Sequence, residues 1–186
     1  MWVIGPSSQN LDRLKQKWLE WLEKYEKRAP FADEIEVDKI DRSVPNLSSI
    51  MLLVQSGRRK ILLTGDGTSD DVLDGLRQQN LLNKAGKLSV DVLKLPHHGS
   101  ARNIRKAFFD IVTAKTYIIS ANGKYNNPDL ATLIWLVTAA KKQRRKIKIL
   151  ATNMTDSISQ LMDEYSQESY GYELSFLDPD QHAIEI

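Results

Sequence analysis

The sequence contains no cysteine. That absence removes disulfides, thiolate metal ligands and cysteine nucleophiles together. It also fits a reducing compartment, and the cytoplasm is the default location expected. Histidine is nearly as scarce, with three residues in 186, so any imidazole chemistry falls to His97, His98 or His182. Long apolar runs are missing too. Stretches such as "IMLLV" and "LIWLV" fall far short of the roughly 18 residues that a membrane span needs. The opening "MWVIGPSSQN" has no basic region and too short an apolar run for a secretion signal. A formal net charge of +2 provides no strong field toward nucleic acid or an anionic membrane.

What is present has the composition of an ordinary globular chain. The length allows one sizeable core, and residues 1–186 are read as a single domain. "MWVI" predicts a strand closed by Gly5-Pro6-Ser7-Ser8. Leu11, Leu14, Trp18, Trp21, Leu22 and Tyr25 then recur at helical spacing, which predicts an amphipathic helix ending near Ala29-Pro30. Trp18 and Trp21 are expected to pack that helix onto a sheet rather than to form a partner surface. The segment from Phe31 to Asn46 reads as a loop.

Two β-rich runs flank Ser56-Gly57-Arg58-Arg59 and predict a hairpin. A helix follows in "SDDVLDGLRQQNLL", capped by Ser69 or Asp70. Beyond it strands and helices alternate: strand "SVDVLKL", helix "ARNIRKAFFDIV", strand "KTYIIS", helix "LATLIWLVTAAKKQ", strand "KIKILAT". "SISQLMDEYS" reads as a short helix, and "YELSFLD" and "HAIEI" as strands. Such alternation argues for an α/β layer architecture. The early hairpin makes a mixed β-sheet with flanking helices the expected fold class.

In folds of this kind functional residues gather in loops just beyond strand ends. Three loops qualify: "TGDG", "PHHGS" and "NGKYNNPD". Asp66, between two glycines at a strand end, is a rigidly held carboxylate that suits zinc, manganese or iron. The alternative is that it caps the turn or the next helix. His97 and His98 are adjacent, and neighbours in extended chain point in opposite directions. One of them is then expected to face a metal and the other a substrate; the alternative is a polar pair in a surface turn. The basic run "KKQRRKIK", Lys141 to Lys148, is either a phosphate contact or the solvated end of a helix. The second reading is preferred because no aromatic residues interleave with the charges.

Together these loops resemble the metallo-β-lactamase superfamily, and within it hydrolases similar to the extracytoplasmic domain of competence DNA-uptake channels. The features that carry the resemblance are "VIGPS", "PNLSSIMLLV", "KILLTGDG", "DVLKLPHHGS" and "IISANGKYNNPD", in the family's order. The resemblance implies zinc as cofactor, with Asp66 and His98 as metal ligands and His97 as the catalytic residue facing the substrate. It also implies substrate contacts from Ser100 and Asn127. Asn126 and Asn127 stand where relatives often place a histidine near the reacting group. The implied fold is the C-terminal half of an αββα sandwich.

The family's main metal motif, His-x-His-x-Asp-His, is absent, and no histidine precedes His97. A catalytic zinc keeps three protein ligands plus water, whereas Asp66 and His98 are two. His182 lies outside the matching features and is read as an ordinary histidine. The expectation is therefore a hydrolase-like protein that is inactive alone. A homodimer, or a partner chain carrying the missing half, would cover the sheet face left bare. The alternatives are a non-catalytic assembly module and, last, nucleic-acid binding through the basic run.

Overall fold

The structure, a computed structural model, describes residues 1–26 and 44–178. It opens with β1 (Trp2–Gly5), α1 (Ser8–Glu26) and a one-turn α2 (Val44–Leu47). The hairpin follows as β2 (Met51–Ser56) and β3 (Arg59–Leu63), with Ser56 paired to Arg59 across a two-residue turn. Then come α3 (Ser69–Gln78), β4 (Leu88–Lys94), α4 (Phe108–Ile111), β5 (Val112–Ile119) and α5 (Leu130–Lys142). The described part closes with β6 (Ile147–Ala151), α6 (Asp156–Glu164), α7 (Gln167–Tyr170) and β7 (Tyr172–Phe176). The result is an α/β fold built on one mixed seven-stranded sheet, as expected.

The strands lie in the sheet in chain order, β1 to β7. The first two pairings are antiparallel and the other four are parallel. Connections between parallel strands are right-handed as a rule. A run of them stepping always in one direction puts every connecting helix on the same face. The burial follows that topology. Leu53, Leu62, Leu93, Tyr117, Ile149 and Leu174 are register partners across the sheet, and all belong to the core or pack at its edge. The helices supply the other side of that core through Leu76 of α3, Phe108 of α4, Leu133 and Leu136 of α5, and Leu161 of α6.

The opposite face is different. Val54, Ile61, Val92 and Thr116 form the adjoining row; they lie outside that cluster, although Val92 is itself buried. Along this face Leu52, Val54, Ile61, Ile118 and Leu150 are half-buried, while Leu63 and Val3 are exposed.

Four details depart from the expectations. The cap of α3 is Thr68, one residue before the expected Ser69 or Asp70. Thr68 Oγ1 accepts the Asp71 N–H and Asp71 Oδ2 accepts the Thr68 N–H, which completes a capping box. The helix expected over residues 101–112 shrinks to the single turn of α4. Loop groups there bond elsewhere: Ala101 N–H to Asp129 Oδ2, Arg105 N–H to Ser69 Oγ, and the Asn103 carbonyl to Ser69 N–H.

Trp18 and Trp21 do not pack α1 onto the sheet. They stack on each other with centroids 5.3 Å apart and are 58% and 50% exposed. Finally, residues 44–46 of the expected loop belong to α2; the rest of it, the helix end near Ala29-Pro30, and the expected strand "HAIEI" with His182 lie outside the described residues. No described helix is long and apolar enough to cross a membrane.

Candidate functional site

The carboxyl ends of β3, β4, β5 and β6 converge on one rim of the sheet, and a cavity of about 480 Å³ opens there. Asp66, His97 and His98 form one wall. Asn122, Lys124, Tyr125 and Asn127 form another, and Thr152 and Asn153 close the end.

Asp66 is placed by a tight turn after β3, closed by the Gly67 N–H on the Thr64 carbonyl (3.2 Å). Its own N–H donates to Ser49 Oγ at 3.1 Å. Two further bonds lock the end of β3 to that of β4: Thr64 Oγ1–H to the Lys94 carbonyl (2.8 Å) and His97 N–H to the Gly65 carbonyl (3.1 Å). Lys94 lies beneath this turn, its ammonium 3.4 Å from the Gly65 carbonyl and 3.3 Å from that of Leu95. Burial pushes its pKa down, and the nearby Asp66 charge opposes that shift.

The histidine pair does not run as extended chain. His97 (φ 44°) and His98 (φ 57°) are both left-handed, so the premise of alternating directions is replaced by a turn. The rings stand almost perpendicular, 6.0 Å apart, and they meet different partners. His97 Nδ1 lies 3.3 Å from the Asp66 backbone carbonyl. His98 Nδ1–H donates to the Ser120 carbonyl at the end of β5. In the neutral ring that bond leaves the Nε2 lone pair free, and Nε2 faces Asp66 Oδ1 at 3.6 Å.

Two acceptors set opposite each other at that distance are not hydrogen-bonded. Protonation of Nε2 would make them an ion pair, and a bridging water or a cation would equally satisfy both. Donors on one tetrahedral zinc stand about 3.4 Å apart, so the pair has the bite of two zinc ligands. The ring N–H held by a backbone carbonyl is the usual orientation of a metal-binding imidazole. The donor set is two, however, and among the described residues no group of three or more His, Cys, Asp or Glu could hold a metal.

Asn127 is buried and lines the cavity. Ser100 is also buried but does not line it; its hydroxyl accepts the Arg102 N–H at 3.3 Å and braces the turn. The histidine turn and the Asn127 loop are tied together. Asp129 N–H donates to the Gly99 carbonyl, and Asp129 Oδ2 accepts the Ala101 N–H at 2.7 Å. Gly99 is left-handed (φ +87°), and a Cβ on it would meet the Pro128 ring at 2.7 Å. Only glycine allows these two loops to approach so closely.

Three of the six basic residues of the run have structural partners. Lys141 stacks over Tyr170 and Arg145 donates to the Ala114 carbonyl, while Lys148 pairs with Glu173. Thr152 and Asn153 were not among the candidate residues of the sequence. The strand-end rule selects them as well, because β6 is parallel and ends at this rim.

The chain is 32% identical over 120 residues to ComE operon protein 3 of Bacillus subtilis (strain 168). The alignment covers 63% of this chain and 14% of that protein, so the chain corresponds to a small fraction of the relative's length. No protein-family model matches the chain, and no solved structure matches it.

Proposed function

We propose that this chain supplies part of a metal-dependent hydrolase site of the metallo-β-lactamase kind, and that the remaining ligands lie outside the described residues. The observation that carries the reading is the His98–Asp66 pair: Nε2 and a carboxylate oxygen 3.6 Å apart, with Nδ1 of the imidazole held from behind by the Ser120 carbonyl. Asp66 and His98 would hold zinc, which supplies Lewis acidity toward a substrate oxygen. His97, on the same wall, would donate a hydrogen bond to the charge that develops on the substrate. The buried Asn127 amide would orient the substrate from across the cavity. Ester, amide and phosphodiester bonds are the substrate classes this resemblance supports. The likeness to ComE operon protein 3 points toward a competence-related role.

Two ligands hold zinc weakly, so the isolated chain is expected to be silent toward bis(4-nitrophenyl) phosphate with zinc present. Nitrogen-15 spectra test the ligand assignment independently of activity. Added zinc should shift His98 Nε2, leave Nδ1 in its protonated form, and move His97 much less. Zinc shifts confined to His97, or a hydrolytically competent isolated chain, would refute the reading.

The one-sided sheet favours a companion reading. Val54, Ile61, Ile118 and Leu150 are half-buried apolar residues of the sheet's other face, outside the core, in two rows interrupted by Thr116 and Lys94. The occupant that fits both this face and the incomplete ligand set is a polypeptide segment carrying the missing ligands, packed on that face. Light scattering showing a homodimer would assign the cover to a second copy instead. A monomer that gains no zinc affinity from any added segment would remove this companion reading.

A further inference from the structure

We infer that the mouth of this cavity reads a flat ring next to a phosphoryl group, with Tyr125 as the stacking surface and Lys124 as the anion contact. The inference rests on the hydrolase-site reading and narrows its substrate class.

Tyr125 lines the cavity, yet it is 82% exposed, more than any other large apolar side chain of the described residues. Packing does not explain that position. The backbone that presents the ring is left-handed at both Tyr125 (φ 57°) and Asn126 (φ 61°). That conformation costs about 1–2 kcal/mol for a side chain such as tyrosine. No core contact offsets the cost, since Tyr125 belongs neither to the core nor to the residues packed against it. Strain held at a cavity mouth without a packing return is characteristic of ligand-contacting positions.

The neighbours define the ligand. Lys124 Nζ lies over one face of the Tyr125 ring, 5.0 Å from its centre, which leaves the other face for a ligand ring and sets a cation beside it. The amides of Asn122 and Asn127 line the same space and can donate to oxygens of one anion. A neutral ester or amide would leave the lysine unmatched, whereas a phosphoryl group uses both the lysine and the amides. With the phosphoryl group between Lys124 and the Asp66–His98 wall, a planar substituent would fall on Tyr125. Ring stacking on an aromatic side chain is then the natural contact.

The test compares phenyl phosphate with methyl phosphate in zinc-containing buffer, following backbone amide shifts of residues 120–127 and 152–153. Tyr125→Asn removes the ring while keeping a residue at ease with positive φ; Tyr125→Phe keeps the ring. Wild type and Tyr125→Phe should bind phenyl phosphate roughly tenfold more tightly than methyl phosphate. Tyr125→Asn should lose that preference while binding methyl phosphate as before, and Lys124→Gln should weaken both ligands. A preference that survives in Tyr125→Asn, or its absence from wild type while both esters bind, overturns this inference and leaves the site reading standing. If neither ester shifts these resonances, the inference fails, while the zinc shifts of His98 decide the site reading separately.

Discussion

Gly75 offers a case in which helix propensity and tertiary geometry predict opposite signs. It sits inside α3, where exchanging glycine for alanine ordinarily gains about 0.8–1.0 kcal/mol. Here an added Cβ would lie 1.7 Å from the Ile4 carbonyl oxygen and 2.7 Å from its carbon. Both are backbone atoms of β1, which is held in register by the pairing of Trp2 with Leu53, so neither can rotate away. Relief requires β1 to withdraw from α3 by more than ~1 Å, enough to forfeit most of the contact between them.

Ile4, now 5% exposed, would lose its cover, and full burial of such a side chain is worth about 1.5–3 kcal/mol. The loss exceeds the helix gain once the β1–α3 contacts are included, so Gly75→Ala should destabilise by roughly 1–3 kcal/mol. With a urea slope near 2 kcal/mol/M, the unfolding midpoint should fall by about 0.5–1.5 M. A midpoint at or above that of wild type would refute the close approach of β1 to α3.

Two further perturbations probe the frame of the site. Thr68→Ala should cost about 1 kcal/mol by removing the capping box of α3; in thermal melts, no loss would show that Ser69 can cap in its place. Lys94 gives a pH signature. Its pKa is lowered in the folded state, mainly by burial, so between that value and the ordinary lysine value the unfolded chain binds more protons. Stability from this group therefore rises with pH across that window, as the buried charge is lost. The wild-type stability relative to Lys94→Met, from urea titrations at several pH values, should move in favour of wild type as pH approaches the ordinary lysine value. A flat or opposite trend would contradict the burial of that ammonium.

Much of the fold was legible because period and punctuation agreed. The alternation from "KILLTGDG" onward predicts β3 through β6 in order, and Ser56 to Arg59 marks the hairpin. The failures share one cause, the use of backbone and side-chain groups by distant partners. Ser69 reads as a cap, but its hydroxyl accepts from Arg105, so Thr68 takes the cap with Asp71. Residues 101–107 carry Ile104 at a helix-like position, yet their amides and carbonyls serve Asp129 and Ser69. No local pattern encodes such bonds.

The site divides in the same way. Asp66, His97 and His98 stand out in the sequence by residue type and strand-end position and Asn127 through the resemblance; all four line the cavity, whereas Ser100 does not. Ser120 does not stand out, because its contribution is a backbone carbonyl. The left-handed turn at His97 and His98 is likewise invisible to a rule that assumes extended chain. Tyr125 reads as an ordinary loop aromatic until its exposure and backbone are known.

The central claim is that Asp66 and His98 are one part of a coordination sphere and that the rest lies elsewhere. Calorimetric titration of the isolated chain with zinc tests it directly, with His98→Ala alongside. Weak uptake, with a dissociation constant on the order of 10 μM or above, that disappears in the variant is the predicted result. Tight binding of two zinc ions per chain would contradict it.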